Sequence, residues 1–229
     1  MLGRFSGITR IIEFSTTVPE IHRMIRPEQK IYLASKSPRR RELLRQIGVE
    51  FEILMLREAP GRPGAVSEIP YPDEDPEVYV RRVAREKGEA GWQTVLGRRL
   101  PLRPVLSADT TVSIDGKILG KPADAKEAIK MLRWLSGRTH QVLTAITVTA
   151  DGKMSEALSR SEVRFAHLDE ASLHAYCATK EPYDKAGAYG IQGFAAQFVE
   201  FISGSYSGIM GLPLFETARL LQRVGVSTL

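Results

Sequence analysis

Residues 31–48, IYLASKSPRRRELLRQIG, join a short apolar run directly to an amphipathic segment, and this junction constrains the fold most. The run IYLA predicts a buried strand. Ser37 suits the N-cap of a following helix, Pro38 its first position and Gly48 its C-terminal stop. A buried strand that leads at once into a helix is typical of α/β proteins.

The rest of the chain continues this alternation of strands and helices. Helices are predicted at 75–88, 124–137, 169–178 and 212–224, and strands at 105–108, 141–149, 161–165 and 198–202. Asp115-Gly116 marks a tight hairpin, and residues 57–75, rich in proline and charge, predict a loop. Because there is no fixed repeat and no low-complexity linker, the pattern predicts an α/β fold, either one domain or two small lobes around a cleft.

Composition excludes several classes of protein. The 229-residue chain has 43% hydrophobic residues, enough for a core, and its net charge of +5 favours polyanionic partners, nucleotides and nucleic acids alike. The single cysteine, Cys177, excludes an internal disulfide and a thiolate zinc site. No apolar run approaches the roughly 20 residues that span a membrane, and residues 1–23 lack a secretory pattern, which predicts a cytoplasmic protein. Residues 1–29 are predicted to be an extension, disordered or upstream of a start at Met24, and residues 30–229 to be the functional domain.

The start of the first helix collects residues that suit an anion: Ser35, Ser37, Arg39 and Arg40. A helix N-terminus offers unpaired backbone N–H groups and a partial positive charge, so these residues predict a phosphate site. From the residues alone, the alternative is that Ser37 only caps the helix and the arginines are solvated. The sequence has no G-x-x-x-x-G-K-[ST] motif, which argues against a P-loop kinase or ATPase.

The second helix carries a lysine on its apolar face. A stripe with i, i+3, i+4 spacing begins at Val80 and reaches Lys87 at i+7. A lysine there needs an anionic partner, or else it extends along the helix end to reach solvent. The arginines of this helix fall off the stripe and are predicted to be solvated: Arg81, Arg82 and Arg85.

Asp109 directly follows the apolar strand 105–108. In open α/β sheets ligands bind beyond the carboxyl ends of strands, where a carboxylate can ligate Mg²⁺ or accept a proton from water. The alternative is a turn aspartate that bonds its own backbone. Lys121, in the Gly-Lys-Pro step beyond the hairpin, either returns to the same edge or lies on the surface.

The segment DKAGAYGIQG, residues 184–193, places three glycines among polar residues, so its backbone can approach a ligand closely. Asp184 and Lys185 form a potential charge pair. Gln192 has an amide that can read the donors and acceptors of a base. The four histidines show no metal-ligand spacing and are given no role: His22, His140, His167 and His174.

Five separated blocks, LASKSPRR, SADT, GKP, LSGRTHQVLTA and EPYDKAGAYGIQG, together resemble the Maf family of nucleoside triphosphate pyrophosphatases, also called septum formation inhibitor proteins. The resemblance runs from about Lys30 to Val224. It implies an elongated α/β protein of the Maf-like, inosine triphosphatase-like class, often a homodimer, in which a mixed sheet and two lobes flank a central cleft. The implied reaction cleaves a nucleoside triphosphate between its α and β phosphates and releases pyrophosphate.

The resemblance also implies roles for individual residues. The motif Ser-x-Ser-Pro-Arg-Arg would contact the phosphates through Ser35, Ser37, Arg39 and Arg40. The implied catalytic residues are Lys87, Lys121, Asp109 and a glutamate of the loop after the first helix. That glutamate aligns to Glu68, with Glu58 as the rival.

Within the family, ADT and DKAGAYGIQG resemble the branch that acts on dTTP and UTP, rather than the branches for 7-methyl-GTP or a broader pyrimidine range. Arg40 fits this branch, and Thr110 and Gln192 would recognise the pyrimidine. Asp109 and Glu68 would hold a divalent cation, Mg²⁺, Mn²⁺ or Co²⁺, or act as general base, while the lysines and arginines neutralise the phosphates.

Two other functions compete with the pyrophosphatase. The first is a non-catalytic nucleotide-binding protein that inhibits septum formation, as the older family name suggests. The second is a nucleic-acid-binding module, motivated by the basic charge. Because only 7% of residues are aromatic and the basic runs lack interleaved aromatics, stacking platforms are sparse. The expected partner is therefore a nucleoside triphosphate, with neither nucleic acid nor membrane.

Overall fold

The protein is built on one mixed β-sheet. The structure, a computed structural model, describes residues 30–56 and 66–228. Its strands are β1 (Ile31–Leu33), β2 (Phe51–Ile53), β3 (Val105–Ile114), β4 (Lys117–Leu119), β5 (Thr139–Ala150), β6 (Lys153–Phe165) and β7 (Val199–Ser203). Its α-helices are α1 (Pro38–Gln46), α2 (Pro76–Gly97), α3 (Ala125–Leu135), α4 (Glu170–Cys177), α5 (Tyr206–Met210) and α6 (Leu214–Arg223). The predicted α/β class is confirmed, whereas the predicted extension 1–29 and Met24 lie outside the described residues.

The sheet has the strand order β2-β1-β3-β5-β6-β7, and β4 pairs with β3 beyond the end of β1. β1 is parallel to β2 and β3, and the pairs from β3 through β7 are antiparallel. The long strands β3 and β5 pair over 105–113 and 141–149 and form the centre of the sheet. Among the described residues, no helix is long and apolar enough to cross a membrane.

The helices cover the two faces of the sheet unequally. On one face, α2 packs through Val80, Val83 and Ala84 against Leu143 and Ala145 of β5. On the other face, α1 and α6 pack on Ala108 and Ile146 near one end of the central strands. Farther along that same face, α3 and α4 pack on Val112 and Val142. The second face therefore carries two separate apolar clusters, which correspond to the two predicted lobes.

Two threonines separate these clusters. Thr110 of β3 and Thr144 of β5 are register partners that lie between the pair Ala108–Ile146 and the pair Val112–Val142. Because side chains alternate along a strand, Thr110 and Thr144 point to the same face as the clusters on either side of them. A polar gap thus interrupts the apolar packing at the middle of the sheet.

The pairing along one edge of β3 is interrupted at the level of Thr110. β1 pairs with β3 as far as Leu106, and β4 begins to pair with it only at Val112. Among the described residues, no strand pairs with residues 107–111 on this side of β3. Residues on both faces of β3 are therefore reachable from one opening, Asp109 from the α2 face and Thr110 from the opposite face.

The local signals of the sequence fold as predicted at several points. The side chain of Ser37 caps α1, with Pro38 in its first turn. Asp124 caps α3 by accepting the N–H of Glu127 at 2.8 Å, and Glu127 accepts the N–H of Ala123 at 2.7 Å. Asp115 and Gly116 both have positive φ, 51° and 72°, as a two-residue hairpin requires.

Three predicted elements extend further in the structure. The strand predicted at 161–165 begins at Lys153, because it pairs with β5 over residues 153–164. The second helix does not end near Gly88 but continues to Gly97, because Gly88 and Gly91 face the sheet and allow close packing. A Cβ on Gly88 would lie 2.5 Å from Thr147 Oγ1, and one on Gly91 would lie 2.7 Å from Val105 Cγ1. The strand 105–108 likewise continues to Ile114, because it pairs with β5 along its whole length.

The arginines of α2 are paired rather than simply solvated. Arg81 and Arg85 both bind Glu156 of β6, with N–O distances of 2.6 and 2.5 Å. Arg82 binds Glu74 at 2.7 Å, and its side chain is only 16% exposed. The expectation of a solvated surface therefore holds for Arg85, whose side chain is 51% exposed, and is wrong for Arg82, which Glu74 of the preceding loop binds.

Candidate active site

The edge of β3 at residues 107–111, where pairing is interrupted, borders a cleft of about 890 Å³. Volumes of this size are typical of sites for small ligands. The cleft is lined by the start of α1, by residues 66–69, by α2, by the middle of β3, by Gly120-Lys121, by the loop 184–192 and by the end of α5. Every site residue predicted from the sequence and lying in the described part of the chain lines this cleft.

Lys87 of α2 lies between two carboxylates. Its Nζ is 2.8 Å from Oδ1 of Asp109 and 2.6 Å from Oε1 of Glu68. The side chains of Lys87 and Asp109 are 12% and 9% exposed. Lys87 thus has the anionic partners that its position on an apolar stripe requires. The sequence predicts Asp109 just after the end of a strand, whereas the structure places it in the middle of β3.

Glu68 reaches the cleft from the loop before α2 and also contacts Lys121, whose Nζ is 3.5 Å from Oε2. Burial alone would raise the pKa of Glu68, but Lys87 and Lys121 outweigh burial and lower this pKa to about 2. The carboxylate is therefore ionised across the physiological range. The rival Glu58 lies outside the described residues.

The N-terminus of α1 faces the cleft because Leu43 and Leu44 anchor the helix in the core. Ser35 Oγ accepts the N–H of Ser37 at 3.2 Å, and Ser37 Oγ accepts the N–H of Arg40 at 3.5 Å. Arg39 reaches across the cleft and donates to Oδ2 of Asp184 at 3.0 Å. A bound phosphate would compete with Asp184 for this arginine.

Arg40 is buried, and its guanidinium binds protein groups. Nε donates to the carbonyl of Gly211 at 2.7 Å, Nη1 to Ser35 Oγ at 3.1 Å and Nη2 to Thr110 Oγ1 at 3.0 Å. Burial lowers the pKa of Arg40, and the charge of Asp109 acts in the opposite direction. These contacts make Arg40 a support for Ser35 and Thr110. Its predicted contact with the phosphates stays a prediction.

The loop that carries Gln192 is held by Glu181. The Glu181 carboxylate accepts the N–H of Phe194 at 2.8 Å and the hydroxyl of Tyr176 at 3.0 Å. Gly187, at a φ of 69°, donates its N–H to the carbonyl of Gly120 at 3.0 Å and so ties the loop to the segment of Lys121. Gln192 is exposed and lines the cleft.

A comparison with protein families assigns the chain. The model of the family Maf, described as Maf-like protein, matches residues 30–224. The chain belongs to the Maf-like family.

Several individual proteins are similar to this chain. A protein of Nitrosomonas europaea named dTTP/UTP pyrophosphatase is 54% identical over 86% of this chain and 95% of its own length. A protein of the same name from Aromatoleum aromaticum is 55% identical over 86% of this chain and 97% of its own length. Among solved structures, the Staphylococcus aureus Ham1 protein is similar with 13% identity and a TM-score of 0.41, over 74% of this chain and 90% of that one.

Two residues that bind the lining of the Maf-like cleft have no predicted role in the sequence analysis, Thr144 and Glu181. Thr144 donates to the carbonyl of Gly208 at 2.8 Å, and its Oγ1 lies 3.0 Å from Thr110 Oγ1. A threonine within the apolar run VLTAITV is the available signal, since buried polar residues are the informative ones. Glu181 begins the block EPYDKAGAYGIQG but received no role. Its contact with Phe194 spans 13 residues, so no local pattern could predict it.

A divalent cation fits the carboxylates of the Maf-like cleft. Oδ2 of Asp109 is buried without a hydrogen-bond partner within the described residues, and Glu68 is its acidic neighbour across Lys87. No group of three or more His, Cys, Asp or Glu residues in the described ranges could hold a metal alone. Mg²⁺ commonly binds through one or two carboxylates together with substrate phosphates, which matches this pair.

Proposed function

We propose that this Maf-like protein hydrolyses dTTP and UTP to the nucleoside monophosphate and pyrophosphate. Water attacks the α phosphorus, the bond from this phosphorus to the bridging oxygen breaks, and the electron pair leaves with pyrophosphate. The names of the relatives that align over most of the chain support these substrates. The observation that carries the proposal is Lys87 between Asp109 and Glu68, in the same cleft as the start of α1.

The placement of charge favours catalysis over simple binding. A protein that only held phosphates would gain nothing from two carboxylates beside them, because like charges repel. A hydrolase needs both signs, since cations neutralise the phosphate oxygens while a carboxylate accepts a proton from the attacking water. The cleft offers both, with Lys87, Lys121 and Arg39 beside Asp109 and Glu68.

Different cationic groups of the cleft contact different parts of the triphosphate in this proposal. The capped N-terminus of α1, with Ser35, Ser37 and Arg39, provides backbone and side-chain donors for phosphate oxygens. Lys87 and Lys121 line the same cleft beside Glu68 and stabilise negative charge that develops during the displacement. When Arg39 leaves Asp184 for the substrate, the binding of phosphate replaces one ion pair by another.

Asp109 is the stronger candidate for general base. Its Oδ1 is held by Lys87, while Oδ2 has no partner among the described groups and is the oxygen able to accept a proton. Asp109 and Glu68 would hold a divalent cation, Mg²⁺, Mn²⁺ or Co²⁺, which supplies additional charge neutralisation at the phosphates. Lys87 orients both carboxylates in either case.

The base is recognised by Thr110 and Gln192 in this proposal. Thr110 Oγ1 accepts from Arg40 Nη2 and donates to Thr144 Oγ1, because the single proton of Thr144 goes to the carbonyl of Gly208. One lone pair of Thr110 therefore remains to accept a hydrogen bond from a base in the cleft. The N3–H of uracil or thymine is a matching donor. The amide of Gln192 can donate and accept at the same base.

The experiment is a measurement of pyrophosphate release from dTTP, UTP, CTP, ATP and GTP, with Mg²⁺, Mn²⁺, Co²⁺ or a chelator. Release from dTTP and UTP at catalytic protein concentration is expected, and the chelator should abolish it. Binding of nucleotides without any release would instead favour the non-catalytic inhibitor of septum formation. Tight, salt-sensitive binding to random DNA would favour the nucleic-acid module. A homodimer stays a prediction, to be measured by light scattering.

A further inference from the structure

Helix α2 binds three consecutive carbonyl groups of the loop that carries Glu68. The hydroxyl of Tyr79 donates to the carbonyl of Glu68 at 2.9 Å. The guanidinium of Arg82 donates from Nη1 to the carbonyl of Ser67 at 3.3 Å and from Nη2 to the carbonyl of Ile69 at 3.2 Å. Tyr79 and Arg82 are three residues apart, so they lie on neighbouring positions of one helix surface.

Arg82 is itself fixed in place. Glu74 accepts from its Nε at 2.7 Å and from its Nη2 at 2.8 Å, a bidentate pair in which the Glu74 side chain is 6% exposed. Oε2 of Glu74 also accepts the N–H of Tyr71 at 2.9 Å, and the guanidinium carbon of Arg82 lies 4.2 Å from the centre of the Tyr71 ring. Arg82 therefore joins the start of α2, the loop 67–71 and Glu74 into one unit.

These contacts matter because, within the described part of the chain, the Glu68 side chain itself is bound only by Lys87 and Lys121. It is 49% exposed and reaches the cleft from a segment without regular secondary structure. The lysine that it binds, Lys87, is on the same helix as Tyr79 and Arg82. One rigid helix thus fixes both the backbone of Glu68 and the cation that this carboxylate meets.

We propose that Tyr79 and Arg82 are positioning residues that hold the loop 67–69 so that the Glu68 carboxylate stays at Lys87. Neither residue takes part in the chemistry, and the inference rests on the proposed hydrolysis only for its effect on rate. Catalytic groups must be held close to their productive geometry, and a displacement of about 1 Å can cost up to a hundredfold in rate.

The first test measures the loop itself in the ligand-free protein. Amide hydrogen exchange of residues 66–71 is compared for wild type, Tyr79→Phe, Arg82→Gln and a control, Arg85→Gln. Arg85 lies on the same helix and also binds a glutamate, but its partner is Glu156 of β6. Exchange is expected to rise in this segment for Tyr79→Phe and Arg82→Gln, about fivefold or more, and to stay unchanged for the control.

The second test measures turnover and thermal stability of the same variants. We expect kcat to fall about fivefold for Tyr79→Phe and tenfold or more for Arg82→Gln, while Arg85→Gln keeps the wild-type value. Arg82→Lys keeps the charge but cannot reach two carbonyls and a carboxylate at once, so it should not restore kcat. Tyr79→Phe keeps the ring in its apolar cluster, which makes it the variant that separates loop position from folding.

The outcomes separate the two proposals. Unchanged exchange in both variants, or full kcat in Tyr79→Phe and Arg82→Gln, would overturn the positioning role even if wild type hydrolyses dTTP and UTP. An equal rise of exchange along the whole of α2 would also overturn it, because the residues would then only stabilise the helix. If wild type released no pyrophosphate while loop exchange still rose in the two variants, the proposed function would fail. The role of Tyr79 and Arg82 in holding the loop 67–69 would still stand.

Discussion

The ammonium group of Lys87 lies 2.8 Å from Oδ1 of Asp109. Asp109 is at the centre of the region over which β3 pairs with β5. A carboxylate in a central strand is unfavourable unless it is paired. Because one oxygen is paired and the other is buried without a partner among residues 30–56 and 66–228, this position is suited to chemistry more than to stability.

The Asp109→Asn variant should lose about a hundredfold or more in turnover, because an amide can accept from Lys87 but cannot take a proton from water. Initial rates of pyrophosphate release with dTTP and UTP measure this. Asp115→Asn is the matched control, since Asp115 lies in the exposed hairpin that ends the same strand and asparagine tolerates its φ of 51°. Substantial activity in Asp109→Asn would remove Asp109 from the catalytic role.

The Gly193→Ala variant should loosen the loop that carries Gln192. A Cβ at this position would overlap the carboxylate of Glu181, which caps the turn at Phe194 and Ala195. Loss of these two hydrogen bonds should lower the free energy of unfolding by about 2 kcal/mol and raise KM for UTP. Urea unfolding and initial rates measure both quantities. Gly97→Ala is the control, because a Cβ there meets open space; equal behaviour of the two variants would contradict the role of Glu181.

How much of this site could be predicted depends on how far apart in the sequence the residues of each pattern or contact lie. Lys87 was found from helical periodicity, and the start of α1 from its cap, because both patterns are local. The contacts of Arg40 with Gly211, 171 residues away, and of Thr144 with Gly208, 64 residues away, depend on tertiary packing. No spacing in the sequence encodes such contacts.

The element bounds failed for a related reason. Glycine near the end of a helical pattern predicts a stop, but Gly88 and Gly91 lie in the interior of α2 and face the sheet. Asp109 similarly predicts the end of a strand, yet β3 continues because β5 pairs with it on one side. In both cases tertiary contacts stabilise a residue that local propensity disfavours.

The stability of the protein should fall between pH 7 and pH 5 because of His140. This residue is 2% exposed, and burial lowers its pKa from 6.5 to about 4. The folded state therefore keeps His140 neutral while the unfolded chain takes up a proton below pH 6.5, so stability is present above that pH and is lost as pH falls toward 4. The loss by pH 5 should be about 2 kcal/mol.

Urea unfolding at pH 7 and pH 5 measures this change for wild type and His140→Gln. The variant should be less stable at pH 7, because His140 Nε2 is 2.8 Å from the hydroxyl of Tyr189, but its stability should depend less on pH. His174→Gln is the control, since that side chain is 65% exposed. A pH dependence as steep in His140→Gln as in wild type would contradict the assignment.

The Thr110→Val variant should weaken the preference for uracil over cytosine. Thr110 Oγ1 accepts from Arg40 and donates to Thr144, so its remaining lone pair can accept the N3–H of uracil, whereas N3 of cytosine is itself an acceptor. We expect kcat/KM for UTP to fall about tenfold in Thr110→Val, with a smaller effect on CTP, while Thr110→Ser retains both values. Equal losses for UTP and CTP, accompanied by a lower Tm, would show instead that Thr110 only satisfies the buried guanidinium of Arg40.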